Sequence, residues 1–348
     1  MTATIVLGVF LLAYVLRAVP QWLSPQGLGV DHWFWKTYIE TYRRERRFPP
    51  ELPQYVLDEA QWYPPLFPML LARLLGLPSV VSLGGNHRLP QEREGRYYFG
   101  SRWISYGMEH AVLSLCDAVA VPNRFTGRYV AGIIGDERAR RKTTMIPWIV
   151  EPPKAAAAPA DVASLGLSAD LPLVLVVGHL NHYKYTLEMF DVAADVLRTR
   201  PGVAQFVFCG DGPLRAEGER RLAGLPAAPL LGWQPHEMVL GLMQRASIVL
   251  VPMSGFVLLE AAALGRPVVA SNVEWHGEVI TEGETGWLVR PDAVPEWVGR
   301  IHWILDHPDI AGAAGRRLRE LFLADYAPEV AQRQEADLYS RLVAARQP

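Results

Sequence analysis

Between residues 171 and 290, four strings place glycine where an apolar run gives way to a new element: GHLNHYK at 178–184, CGDGP at 209–213, SGFVLLEAAALGRPVVAS at 254–271 and HGEVITEGETGWLV at 276–289. Glycine at such a junction lets backbone N–H groups crowd a ligand, and a helix start adds partial positive charge. The chemistry this suits is the holding of phosphates, so the chain is expected to handle a nucleotide or a phosphorylated sugar. Lys184 adds a side-chain cation at a helix start. The helix dipole disfavours a cation there unless an anion lies near, so Lys184 itself points to an anionic ligand. Gly210-Asp211-Gly212 is a tight turn whose residue types are favoured on steric grounds alone. Glu278 and Gly283 suit a loop-and-helix scaffold better than chemistry.

The elements that must position these groups are legible from pattern. LVLVV, QFVF, PLLG, IVLV, PVVAS and WLV read as short buried strands, separated by helices such as EMVLGLMQR. After LVLVV, Leu187, Phe190, Ala194 and Leu197 fall on one helical face. In the first half, MLLARLLG is a helix ending at Gly76, PSVVSL a strand, 101–115 a long helix, and DAVAV and TMIP two further strands. Helix and strand alternating in this way predict a parallel α/β sheet in each half. Residues 28–70 are rich in Trp, Tyr and Pro, with Pro49-Pro50 and Pro64-Pro65 breaking them into short helical pieces. The expected organisation is an apolar segment at 1–25, an acceptor-side domain at 26–150, a Pro/Ala-rich linker at 151–170, a nucleotide-sugar domain at 171–325 and a C-terminal helix at 326–348.

At 348 residues the chain has room for two domains, and half of it is hydrophobic, a globular composition. A formal net charge of −2 argues against a nucleic-acid binder. Cys116 and Cys209 lie far apart in apolar contexts and read as small core residues; no metal-ligand spacing occurs. The run ATIVLGVFLLAYVL at 3–16 is shorter than the ~20 apolar residues of a spanning helix and has no Lys or Arg before it. It reads as a short membrane anchor, as a buried first strand and helix, or as a signal sequence. With Arg17, Lys36 and RRERR following it, an anchor would leave the chain on the cytoplasmic side, against the inner face of the cell membrane. RRERR itself reads as a solvated helix face or as a patch for lipid headgroups.

The strings VVGHLNHYK, FVFCGDGPL, LLGWQPHEMVLGLMQRASIVLVP, LLEAAALGRPVVAS and GEVITEGETGWLV, in this order and spacing, resemble the retaining nucleotide-sugar glycosyltransferases of family 4. YPPLFPMLLARLLGLPSVV and MEHAVLSLCDAVAVPNRF resemble the same family's N-terminal domain. The resemblance is strongest over 170–320, weaker over 62–150 and absent over 1–60. It implies the GT-B architecture: two Rossmann-like parallel α/β domains facing a cleft, with the C-terminal helix crossing back. It also implies a UDP- or GDP-sugar donor held mainly by the C-terminal domain, no cofactor and no metal, and a lipid-linked or saccharide acceptor.

By that resemblance Lys184, six residues after Gly178, is the catalytic cation that stabilises the departing diphosphate. Gly178, Gly210, Trp233, Gly255, Phe256 and Val257 fall in the donor-binding strings, the last three offering backbone amides. Glu260 matches the glutamate that holds the ribose hydroxyls. His87, a little later than the family position, matches a histidine near the anomeric carbon. The chain also departs from the pattern. His179 replaces an arginine, giving one hydrogen bond for a bidentate charged grip. Pro252 stands eight residues before Glu260, where the family has its other glutamate, and the opening strand and glycine-rich loop are missing. These losses keep an alternative in view, a degenerate partner subunit without catalysis.

Overall fold

The computed structural model describes residues 66–74, 76–86, 88, 101–150, 165–225, 227–253 and 255–345. The apolar run at 3–16, the RRERR cluster, most of the aromatic stretch, His87 and most of the linker lie outside them. The described chain divides into two units. One holds the residues up to Val121, Thr126–Thr144 and the chain from Ser340; the other holds Pro122–Phe125 and Met145–Tyr339.

In the first unit, α1 (Leu66–Leu74) ends as its sequence predicts. Gly76 adopts φ +67, and the N–H groups of Gly76 and Leu77 turn back to the carbonyls of Arg73 and Ala72 at 3.2 and 2.8 Å. This closing motif needs a left-handed residue, which glycine supplies without strain. β1 (Val80–Ser82) pairs in parallel with β2 (Ala118–Val121), Val81 opposite Val119. Between them runs α2 (Arg102–Leu115), whose first turn is capped by the Ser101 hydroxyl accepting from Ile104 N–H at 3.4 Å. α3 (Arg124–Ile134) and α4 (Asp136–Lys142) lead to β3 (Thr143–Met145), on the far side of β2. Met69, Val81, Val112, Leu113, Val119 and Val130 form the core.

The second unit is a six-stranded parallel sheet of β4 (Leu173–Val177), β5 (Gln205–Cys209), β6 (Leu230–Gly232), β7 (Ile248–Val251), β8 (Val268–Ser271) and β9 (Trp287–Val289). The strands lie in the order β6-β5-β4-β7-β8-β9, every neighbouring pair parallel. Alternate residues feed two cores: Leu173 and Leu175 join one with Val249 and Val251, while Val174 and Val176 join the other with Ile248 and Leu250. Helices cover both faces, which is why the strands read as unbroken apolar runs. The helices are α5 (Thr186–Thr199), α6 (Arg215–Arg221), α7 (His236–Arg245), α8 (Gly255–Ala263), α9 (His276–Val279), α10 (Val294–Asp306), α11 (Pro308–Asp325) and α12 (Pro328–Ala344). α5 buries more than its expected face: Met189, Val192, Ala193 and Val196 are buried beside Phe190, Ala194 and Leu197, because α10 packs alongside it. The end of α12 groups with the first unit, where Arg341 Nη2 donates to Thr144 Oγ1 at 3.3 Å.

Both cysteines are buried and unpaired, as their contexts predict. Burial pushes the Cys116 thiol up to about 11 and that of Cys209 to about 12, so neither is a thiolate near neutrality. Among the described residues, no helix is long and apolar enough to cross a membrane.

Candidate functional site

In an open parallel sheet, ligands bind beyond the carboxyl ends of the strands where the winding reverses. Here the chain winds outward one way from β4 through β5 to β6, then returns to β7 on the other side of β4. The reversal therefore lies between β4 and β7. The loops leaving those two strands are Gly178–Tyr185 and the stretch from Pro252 into α8, the two strings richest in predicted site residues.

The loop after β4 is held by its neighbour. Gly178 N–H donates to Cys209 O and Leu180 N–H to Asp211 O, both at 2.9 Å. A Cβ on Gly210 would stand 1.9 Å from the Gly178 carbonyl oxygen, and one on Gly212 would stand 2.5 Å from that of Leu180. The two glycines are there so that the loops can touch. This gives Gly210 a structural duty, beside the donor contact that its string suggested. Further on, the Asn181 side chain accepts from Lys184 N–H at 2.9 Å and closes a short 3-10 turn, His182–Lys184. Tyr185 follows at φ +52, a left-handed backbone on a non-glycine residue. Lys184 is thus set by a capped turn and a strained joint rather than left on a loose loop. Burial pulls its ammonium below the ordinary lysine value, while the carboxylate of Glu274 raises it. His179 is exposed on the same loop.

On the other side of the reversal, Gly255 opens α8 in a crowded place. A Cβ there would lie 2.9 Å from the Trp148 ring and 3.1 Å from that of Trp275. Trp148 packs against Phe256, centroids 5.5 Å apart, and edge-on against Trp275 at 5.2 Å. Phe256 is 51% exposed, whereas Val257 is buried in the core, so only its main chain can serve a ligand. Glu260, one turn further, has 14% of its side chain exposed, and its carboxylate accepts from His236 Nε2 at 2.8 Å.

The structure thus brings Gly178, His179, Lys184, Gly210, Gly255, Phe256, Val257 and Glu260 to one end of one sheet. Trp233, exposed after the edge strand β6, stands two strands out from β4. It is tied in through Gly232, whose carbonyl accepts from Gly210 N–H at 2.8 Å. Gly283 adopts φ +74 in a turn closed by its N–H to Gly286 O at 2.8 Å, a scaffold role. His236 and Glu274 were missed by sequence reasoning. His236 opens a helix in a string from which only Trp233 was singled out, and Glu274 has no residue-type signal at all, since glycine is the usual occupant of its backbone conformation.

In the first unit, the loop after β1 ends at a compact polar cluster. Asn86 Oδ1 accepts from Arg88 N–H at 3.0 Å, Arg88 Nε donates to Glu109 at 2.6 Å, and Tyr129 donates its hydroxyl to the same carboxylate. Burial and the Glu109 charge hold the Tyr129 phenol well above its usual range, so it stays a donor. The cluster anchors the chain on either side of His87's position in sequence; His87 itself lies outside the described residues.

Residues 171–307 match the family described as glycosyl transferases group 1. Over 290 residues the chain is 27% identical to an alpha-D-kanosaminyltransferase from Streptomyces kanamyceticus, covering 79% of this chain and 74% of that one. It is 31% identical to a D-inositol 3-phosphate glycosyltransferase from Nocardia farcinica over 168 residues, 44% of this chain and 37% of the relative. The fold is similar to that of HepE from Anabaena, solved in complex with UDP, with a TM-score of 0.67 at 16% identity over 79% of this chain and 76% of that one. Neighbours of this kind are GT-B proteins, and the two parallel-sheet units fit that class.

Proposed function

We propose that this chain, whose residues 171–307 match the group 1 glycosyltransferases, moves a sugar from a UDP- or GDP-sugar to a lipid-linked or saccharide acceptor with retention at the anomeric carbon. The observation that carries the reading is Lys184: a half-buried cation, fixed by a capped turn at the reversal of a parallel sheet. A buried ammonium is costly unless an anion will use it. The β-phosphate oxygen of the donor is such an anion, and stabilising it as it departs is the work a transferase must do. No metal is required in this reading, since Lys184 and the amides of Gly255, Phe256 and Val257 meet the developing charge.

In the transfer, the bond from the sugar C1 to the diphosphate oxygen breaks and one from C1 to the acceptor oxygen forms on the same face. The acceptor hydroxyl gives its proton to the departing diphosphate. Glu260 accepts hydrogen bonds from the ribose diol, with His236 holding the carboxylate at 2.8 Å. Residues 26–150 serve the acceptor, and the apolar run at 3–16 holds the chain at the inner face of the cell membrane. Deleting 1–20 then moves the protein from the membrane pellet to the supernatant; a deletion that stays with the pellet in folded form removes the anchor.

The test is a calorimetric titration with UDP, GDP and ADP, with and without EDTA. Selective binding of one nucleotide that survives the chelator is the expected result. No binding in a folded sample would replace this reading with the degenerate partner subunit that His179 and Pro252 suggest.

A further inference from the structure

Two non-glycine residues among those described have positive φ: Tyr185, directly after Lys184, and Glu274 at +47. Glycine takes this backbone freely and an L residue does not, so glutamate kept there calls for a reason in its side chain. The segment carrying it is firmly held. Asn272 N–H donates to Val289 O at 2.8 Å, the Ser271 hydroxyl donates to Pro252 O, and His276 Nδ1–H donates to Ser271 O at 2.9 Å. Trp275, almost wholly buried, closes over Gly255. The loop after β8 is therefore fastened to the loop after β7, and β4, β7 and β8 are consecutive in the sheet. That row of strand ends carries Lys184, the start of α8 and Glu274 side by side, with the Glu274 carboxylate in electrostatic reach of the Lys184 ammonium. The loop after β7 brings no carboxylate of its own before Glu260, since residues 252–259 read PMSGFVLL.

We propose that Glu274 selects the transferred sugar: its carboxylate accepts hydrogen bonds from neighbouring hydroxyls of a hexose while the donor diphosphate takes Lys184. This rests on the nucleotide-sugar reading above. Before the donor arrives Glu274 offsets the charge of Lys184; with the donor bound, the phosphate assumes that duty and the carboxylate accepts from the sugar. A carboxylate suits a pair of ring hydroxyls because its two oxygens accept in one plane.

The test compares the affinity of UDP and GDP with that of UDP- and GDP-hexoses, for the full chain and for Glu274→Gln and Glu274→Gly. The glycine variant removes the strain along with the carboxylate, so it keeps the fold if the glutamine variant does not. Free nucleotide should bind both variants as well as the parent or slightly better, since a negative charge near the diphosphate is gone. The nucleotide-hexose should lose about tenfold, the scale of one hydrogen bond to a charged group. Nucleotide and nucleotide-hexose affinities that move together, or both stay put, would reduce Glu274 to a counter-ion of Lys184 and overturn the proposal. A parent chain that binds no nucleotide would overturn the donor reading and this one with it.

Discussion

Gly210→Ala probes how the loop after β4 that carries Lys184 is held. The new methyl would sit 1.9 Å from Gly178 O and 2.8 Å from its carbonyl carbon, against an optimal contact of about 3.5 Å. The loops after β4 and β5 must therefore part by roughly 1.5 Å to restore that contact. Parting them sacrifices Gly178 N–H to Cys209 O and Leu180 N–H to Asp211 O, both at 2.9 Å. Two such bonds contribute about 1 kcal/mol each, and an L residue at φ +142 adds about 1–3 kcal/mol. The total, about 3–5 kcal/mol, lowers the melting midpoint of a unit of this size by roughly 6–20 °C. Gly202→Ala is the control, at φ +78 with nothing within 4 Å; it carries the backbone penalty alone, about 1–2 kcal/mol. Scanning calorimetry separates the two, and titration with the cognate nucleotide shows whether the displaced loop still binds. A Gly210→Ala protein that melts with the parent and binds nucleotide equally well would refute both the close approach and its bearing on the site.

Lys184→Ala should weaken nucleoside diphosphate binding at least tenfold, the worth of a charge-assisted hydrogen bond, while melting no lower than the parent because a half-buried charge is gone; unchanged affinity would remove Lys184 from the site. The sign with pH follows from its lowered pKa: the charged form binds, so affinity holds at neutral pH and falls with rising pH below the ordinary lysine range. Titrations in buffers of different ionisation enthalpy would show proton uptake in that window. Glu260→Gln should blunt the preference for ribose over 2′-deoxyribose nucleotides, and a parent that binds both equally would end the diol role. His236→Ala should leave melting within about 0.5 kcal/mol of the parent, because the pair is two-thirds exposed on the histidine side.

Strand and helix identities in this chain were legible because both faces of the second sheet are covered. LVLVV, IVLV and PVVAS had to read as continuous apolar runs, and Gly76 marked its helix end because only a left-handed residue closes that motif. The glycine strings and Lys184 likewise stood out in the sequence, since the backbone geometry of a tight strand-to-helix junction restricts which residues can line it. The order of the strands could not be read in the same way. It depends on pairing between segments as far apart as Val174 and Ile248, and periodicity says only that each strand is buried, never beside what. That order places the winding reversal between β4 and β7, so the tertiary structure alone decided that Gly178–Tyr185 and Gly255–Glu260 share one end of the sheet. It alone also set His236 on Glu260 and brought Glu274, ninety positions along the chain from Lys184, within electrostatic reach of that lysine. A charge pair is made by proximity in space, and proximity across ninety residues leaves no mark on local composition.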